Sequence, residues 1–172
     1  INNDAYPEVI SVDMLPSDPY ILKRSLGEDE YNLFNMKIGY GYNYQYTRNN
    51  LQLNRRNGMF SEVGLYAGVA ATDWSWAPLF ADFDNDGIKD LFVSSCIVKR
   101  PVDLDYIRFV SDLSSQKGMD LTDAFDDEAI NKMPDGSSHP FLFKNIGNEF
   151  FTDVSTDWGT GNLKGYFNGA AY

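Results

Sequence analysis

The sequence predicts a mainly β fold with helical inserts, built from about two four-stranded antiparallel units. Two segments, residues 51–63 and 142–154, align without gaps at an offset of 91 residues, and each has the pattern of a β-hairpin. A run of alternating acidic residues, 82–90, separates two short apolar segments that have the length and composition of buried strands. Two longer segments with helical spacing, about 16–48 and 99–138, precede the two hairpins. Together these observations predict a repeated β unit that carries a helical insert between its second and third strands.

The repeat also predicts where the units begin and end. Each unit has a strand, an acidic loop, a second strand, a helical insert and a closing hairpin, and four antiparallel strands per repeat are typical of one blade of a β-propeller. We expect a first blade that lacks its first strand at 1–72, a complete blade at 73–165, and the first strand of a following blade at 166–172. On this interpretation the chain is an internal fragment of a longer propeller.

Both inserts are predicted to be helical. In the first, Ser17 is the expected N-cap, Pro19 lies early in the helix and Leu26-Gly27 ends it. A second short helix is expected over residues 28–36. The second insert is expected to end at residues 134–136 and to hold two helices, indicated by apolar residues at helical spacing: Leu104, Ile107, Val110 and Leu113, then Leu121, Phe125 and Ala129.

Aromatic residues form a candidate ligand surface at the end of the first insert. Four tyrosines alternate along a predicted extended segment, so that one face carries four phenols: Tyr40, Tyr42, Tyr44 and Tyr46. With Trp74 they can stack on sugar rings, because exposed aromatic rows mark binding surfaces. The alternative is packing between neighbouring blades, and the sequence leaves this choice open for the tyrosines. Packing is the expectation for Trp76.

The acidic loop predicts a calcium site. Acidic side chains at alternate positions can converge on one hard cation, which takes six to eight oxygens at about 2.3–2.6 Å. Gly87 supplies the sharp turn. An EF-hand begins in the same way, but it needs flanking helices and a bidentate Glu at position twelve, where this chain has Val93. The five predicted ligands are three alternate carboxylates, one carbonyl and one closing carboxylate: Asp82, Asp84, Asp86, Ile88 and Asp90.

Residues 2–8 fit the second half of a degenerate copy of this loop. Ala5 stands in place of Gly87, and Glu8 stands in place of Asp90. Because the copy is truncated and lacks the glycine, the sequence leaves open whether this loop binds a metal.

Composition excludes several classes of partner. The chain has 14 basic and 25 acidic residues and a net charge of −11. Nucleic acid and anionic membranes require a positive footprint, so neither is an expected partner. No run approaches the roughly 20 apolar residues of a membrane-spanning helix, so no membrane insertion is expected. The single cysteine, Cys96, is interpreted as a small apolar residue at the end of a strand.

These motifs resemble the FG-GAP/VCBS repeat family, whose blades carry an Asp-x-Asp-x-Asp-Gly-x-x-Asp loop, as integrin α-subunit propellers do. Residues 48–54 and 72–87 carry the resemblance, and they look closest to large exported bacterial proteins whose propeller precedes an ASPIC/UnbV-type module. The resemblance implies a propeller section, calcium in the loop of Asp82, and a location at the cell surface, in the periplasm or outside the cell. The ASPIC/UnbV module itself is absent from the sequence.

Two functions are weighed. The first is an adhesion or interaction scaffold with structural calcium, which binds a protein or a glycan and can self-associate head to tail through open blade edges. The alternative is part of a propeller-type polysaccharide lyase or glycosidase, which requires paired carboxylates in a cleft or a basic His or Tyr. Its candidates are weak, because His139 is expected in a surface loop and residues 126–128 on a solvated helix face. We therefore expect a non-enzymatic protein.

Overall fold

The structure is a computed structural model that describes residues 1–27, 29–117 and 123–171. Glu28, Leu121 and Tyr172, which carry predictions above, lie outside these residues. The side chains of Phe125 and Asp126 also lie outside the described part.

The described residues form two antiparallel sheets in which sequential strands are neighbours. The first sheet has three strands: β1 (Val9–Ser11), β2 (Asn50–Asn54) and β3 (Phe60–Glu62). The second has four strands: β4 (Ser75–Ala81), β5 (Asp90–Ser95), β6 (Phe141–Asn145) and β7 (Phe151–Asp153). The prediction of a mainly β, antiparallel fold with helices is confirmed at this level.

The strand pairing of both sheets follows one repeat. Leu53 pairs with Ser61 in the first hairpin, and Lys144 pairs with Thr152 at the same offset of 91 residues in the second. The pairing of β1 with β2 likewise matches that of β5 with β6. The predicted hairpin repeat is therefore confirmed residue by residue.

The hairpin turns are built on asparagine side chains. Asn54 Oδ1 accepts a hydrogen bond from Arg56 N at 2.9 Å, and Asn145 Oδ1 accepts one from Gly147 N at 3.0 Å. Arg56 and Gly147 both have positive φ, 59° and 85°. An asparagine that caps its own turn stabilises this geometry locally, which is why the turn recurs in both sheets.

One apolar core joins the two sheets. Along β2 every second residue is buried, whereas β5 is buried along nearly its whole length, as expected for a strand covered on both faces. The core contains residues from both sheets and from the segment after β3: Leu51, Ala67, Val69, Leu91, Val93, Phe141, Phe143 and Phe151.

Helices lie mainly between the strands. The ranges are α1 (Pro19–Arg24) and α2 (Tyr31–Gly39) between β1 and β2, α3 (Gly64–Ala67) after β3, and α4 (Leu104–Lys117) and α5 (Asp123–Lys132) between β5 and β6. Within the described ranges, none of them has the length and apolar character that a membrane span requires.

Two local predictions in the first insert are wrong. The N-cap of α1 is Asp18 and not Ser17: Asp18 Oδ1 accepts hydrogen bonds from Tyr20 N and Ile21 N, because Pro19 occupies the first helical position. The extended segment predicted from residue 40 does not form either. Tyr40 caps α2 and Gly41, with φ of 87°, turns the chain, so the tyrosines do not alternate along one strand.

The strand predicted at the end of the chain is also absent. Residues 166–171 form no strand. Tyr166 OH instead donates a hydrogen bond to Asp135 Oδ1 at 2.6 Å, and Lys164 Nζ lies 3.7 Å from the same carboxylate. Hydrogen bonds from Ser137 and Tyr166 lower the pKa of Asp135 to about 2. This segment is therefore held to the second insert by side chains and by the backbone bridge between Ser138 and Gly165.

A buried ion pair links the two halves of the structure. The Arg100 guanidinium donates to both oxygens of Asp73, at 2.9 and 2.5 Å, and both side chains are less than a tenth exposed. Asp73 N also donates to Leu15 O at 2.8 Å. The ion pair therefore joins the insert after β5 to the segment before β4. The Asp73 backbone joins that segment to Leu15, which follows β1.

We expect Arg100→Met to lower the free energy of unfolding by about 3–5 kcal/mol, because it leaves the Asp73 carboxylate buried without its partner. The double variant Asp73→Asn/Arg100→Met leaves no unpaired charge, and asparagine tolerates the positive φ of 60° at this position. Chemical denaturation should show the double variant to be more stable than Arg100→Met. An equal or lower stability of the double variant would contradict the prediction.

Candidate metal centre

The acidic loop joins β4 to β5, and its carboxylates accept hydrogen bonds from backbone N–H groups of the same loop. Asp82 accepts hydrogen bonds from Asp86 N at 3.0 Å and Gly87 N at 2.9 Å, and Asp86 Oδ1 accepts one from Ile88 N at 2.9 Å. Positive φ at Asn85 and Gly87, 60° and 88°, curls the backbone so that these N–H groups face inward.

The curl brings three carboxylates together. One oxygen from each of Asp82, Asp84 and Asp86 lies within 4.8 Å of the others, and all three residues are exposed. Two oxygens bound to the same calcium ion at about 2.4 Å cannot be more than about 4.8 Å apart. The donor set therefore fits a shared calcium ion, and the predicted convergence of these three side chains is present.

A lysine supplies the counter-charge in the structure. Lys144 Nζ, on β6, forms an ion pair with Asp84 Oδ2 and lies 3.3 Å from Asp86 Oδ2. The hydrogen bond between Lys144 and Asp84 raises the pKa of Lys144 and lowers the pKa of Asp84. The sequence analysis did not identify Lys144. Its equivalent in the first hairpin is Leu53, so the change from an apolar to a basic residue was a signal in the sequence that could have identified it.

Asp90 lies apart from the other carboxylates and has no exposed surface. Its Oδ2 accepts a hydrogen bond from Phe83 N at 3.1 Å, and its Oδ1 accepts one from Asn145 N at 2.9 Å. In the structure Asp90 therefore ties the start of the loop to β6. Coordination by Asp90 and by the Ile88 carbonyl stays a prediction.

Residues 2–8 repeat the loop geometry at an offset of 82 residues. Asn3 and Ala5 have positive φ, 57° and 66°, as Asn85 and Gly87 do. Tyr6 N donates to Asp4 Oδ1 at 2.8 Å, which matches the bond between Ile88 N and Asp86 Oδ1.

An acidic group of the first loop also has a cationic partner. Asp4 Oδ2 lies 2.7 Å from Arg56 Nη2. The first loop therefore repeats the backbone turns of the second, and Arg56 pairs with Asp4 as Lys144 pairs with Asp84.

The predicted aromatic residues are not brought together as one row. Tyr44 and Tyr46 pack against Phe34, with ring centroids 6.1 and 6.3 Å apart, whereas Tyr40 is 78% exposed and lies outside this group. Trp74 is half-buried and lines a separate small cavity beside Arg100. Tyr42 is exposed, as is Trp76, which was expected to pack and instead donates from Nε1 to Cys96 O at 2.7 Å.

The described residues weighed for catalysis, His139, Asp127 and Glu128, lie outside the acidic loop in the sequence, on α5 or in the segment before β6. His139 Nδ1 is 3.0 Å from Pro140 O, and its ring packs on Phe141 with centroids 4.4 Å apart. Asp127 and Glu128 are exposed on α5. Cys96 is buried, and burial raises the pKa of its thiol.

One segment of the chain is similar to a known protein family. Residues 38–93 match the family model described as FG-GAP-like repeat, a segment that runs from α2 through the acidic loop into β5. No curated protein and no solved structure matches the chain. The match covers less than half of the chain, and it supports the resemblance to the FG-GAP repeat family on residues that include the candidate metal centre.

The two hydrogen bonds of Asp90 generate a prediction for the loop without calcium. We expect Asp90→Asn to lower the free energy of unfolding by about 2–3 kcal/mol in the presence of a chelator, because the new amide group cannot accept from both buried N–H donors. The matched control is Asp86→Asn, an exposed position in the same loop, for which we expect a change below about 0.5 kcal/mol. Equal effects in chemical denaturation would contradict a structural role for Asp90.

Proposed function

We propose that this chain is a calcium-binding section of an exported FG-GAP β-propeller, with structural calcium and a surface that binds a protein or glycan ligand. One observation carries the proposal. Three carboxylates, those of Asp82, Asp84 and Asp86, converge in a strand-to-strand loop inside the segment that matches the FG-GAP-like repeat.

The loop suits calcium better than magnesium. Calcium accepts six to eight oxygens in flexible geometry, whereas magnesium requires near-ideal octahedral geometry and retains several waters. Asp82, Asp84 and Asp86 would supply carboxylate oxygens, the Ile88 carbonyl and Asp90 would add to them, and exposure of the loop leaves room for water. Bound calcium would supply positive charge that cancels the mutual repulsion of these carboxylates.

The position of the loop supports a structural role for the ion. The loop connects β4 to β5, and Asp90 joins its closing end to β6 through Asn145 N. An ion held by the three carboxylates would fix the β4–β5 turn relative to a third strand. Calcium sites in other extracellular modules have dissociation constants of about 10⁻⁴ to 10⁻³ M, and a weak site of that kind suits an exported protein.

The sheets support the propeller interpretation, because two antiparallel meanders with matched register are what adjacent blades require. Binding is favoured over catalysis because the candidate acid–base groups do not converge. His139 contacts Pro140 and Phe141, and the exposed acidic residues of α5 lie on a different element.

Calcium titration of chelator-treated protein tests the proposal. We expect one calcium site per chain by isothermal titration and a rise in melting temperature with added calcium. Both should be lost in Asp84→Ala/Asp86→Ala, which removes two ligands. The control variant Asp112→Ala/Asp127→Ala removes the same charge from exposed positions on α4 and α5 and should retain the site. Absence of binding in the unmodified chain would refute the calcium proposal.

A second prediction concerns the lysine in the loop. Because calcium must displace the Lys144 ammonium from Asp84 and Asp86, we expect Lys144→Met to bind calcium about two- to fivefold more tightly. Lys89→Met is the control, because it removes a positive charge from the same loop without breaking any ion pair between described residues. Its effect on calcium affinity should be smaller. Weaker calcium binding by Lys144→Met would contradict the exchange.

A further inference from the structure

A cavity of about 500 Å³ opens between the first sheet and its helical insert. Its described walls come from Asp13, the second residue after β1, from Gly27 and Asp29 between α1 and α2, from helix α2, and from the segment that leads from α2 into the first residue of β2. Ligand sites for small molecules occupy clefts of about 300–1,000 Å³. The cavity therefore has the volume of a small-molecule site and lies in a different sheet from the acidic loop.

Two aromatic rings form one side of this cavity. Tyr44 and Tyr46 both line it, and Phe34 lies behind them at 6.1 and 6.3 Å between ring centroids. Tyr44 is nevertheless 70% exposed, so the contact with Phe34 leaves ring surface open. Arg48 lies 5.5 Å from the ring centre of Tyr46, which holds that second ring in place. The rings are thus supported from one side and accessible from the other.

Polar groups form the remaining walls. Lys37 Nζ forms an ion pair with Asp29 Oδ2, and Asp13, Gln45 and Asn50 add carboxylate and amide groups. The lining contains hydrogen-bond donors and acceptors together, and among the described lining residues there is no leucine, isoleucine, valine or methionine. A protein-binding pocket with a buried apolar anchor would be expected to present such side chains.

We infer that this cavity binds a neutral saccharide. A pyranose ring has an apolar face, which stacks on an open aromatic ring, and an edge of hydroxyls, each of which donates and accepts hydrogen bonds. Tyr44 supplies the ring, and Lys37, Asp29, Gln45 and Asn50 supply the polar partners. The inference rests on the proposed function, because it names the ligand class of the proposed binding scaffold.

Charge favours a neutral sugar over an acidic one. The described lining of the cavity carries two carboxylates, Asp13 and Asp29, against one ammonium, Lys37, and the whole chain has a net charge of −11. An acidic polysaccharide would therefore be repelled both locally and at long range. A neutral saccharide meets no such repulsion.

Saturation-transfer difference NMR tests this inference on the full chain. The probes are neutral tetrasaccharides of glucose, mannose, galactose and N-acetylglucosamine, with a uronic acid tetrasaccharide and tetra-lysine as comparators. We expect transfer to at least one neutral tetrasaccharide. Tyr44→Ala should weaken its binding at least about tenfold, whereas Tyr44→Phe, which retains the ring, should stay within about threefold. Tyr40→Ala is the matched control and should bind normally, because Tyr40 is exposed outside the cavity.

Three outcomes would overturn the inference: no transfer to any neutral tetrasaccharide, binding unchanged in Tyr44→Ala, or binding of tetra-lysine alone. The last would identify a basic protein as the ligand. Calcium titration of the same sample separates this test from that of the proposed calcium site. Calcium binding without saccharide binding refutes only the cavity assignment, and saccharide binding without calcium binding refutes only the metal site.

Discussion

A carboxylate that is removed completely from water must be supplied with hydrogen-bond donors by the protein, and Asp90 meets this constraint with backbone N–H groups from two elements. Phe83 N belongs to the acidic loop, and Asn145 N belongs to the last residue of β6. The Asn145 side chain continues the connection, because its Nδ2 donates to Lys89 O and to Ile1 O. The loop, the central strands and the N-terminal segment therefore share one buried polar network, and this network fixes where the exposed carboxylates of the loop can lie.

The distribution of charge explains how so acidic a chain holds its loops together. Each acidic loop has a cationic partner from a neighbouring hairpin: Arg56 binds Asp4 in the first, and Lys144 binds Asp84 in the second. Arg56 donates two hydrogen bonds to Asp4 from a planar guanidinium, which fixes the geometry of the pair. Lysine is a flexible point charge that another cation can displace. The same backbone repeat can thus carry a permanent ion pair in one sheet and an exchangeable cation in the other.

The parts of the fold that were predictable from sequence depend on local signals. The hairpins at 51–63 and 142–154 follow from an asparagine turn and the alternation of apolar residues, which act over a few residues and give the same register twice. The N-cap at Asp18 was missed because two adjacent residues, Ser17 and Asp18, both have capping side chains. The strand expected at 166–172 requires a partner edge, and sequence similarity to β4 does not supply one.

For the candidate site, the sequence by itself determined the convergence of Asp82, Asp84 and Asp86, because alternate spacing and a left-handed glycine bring their side chains to one side of a short turn. Only the tertiary structure decided that Lys144 lies among them, and that Asp90 is buried against β6. It also separated the tyrosines, because Tyr44 and Tyr46 line a cavity whereas Tyr40 and Tyr42 lie outside it. The physical reason is distance along the chain: contacts within a turn are set by local backbone geometry, whereas contacts between elements depend on how the sheets and inserts pack.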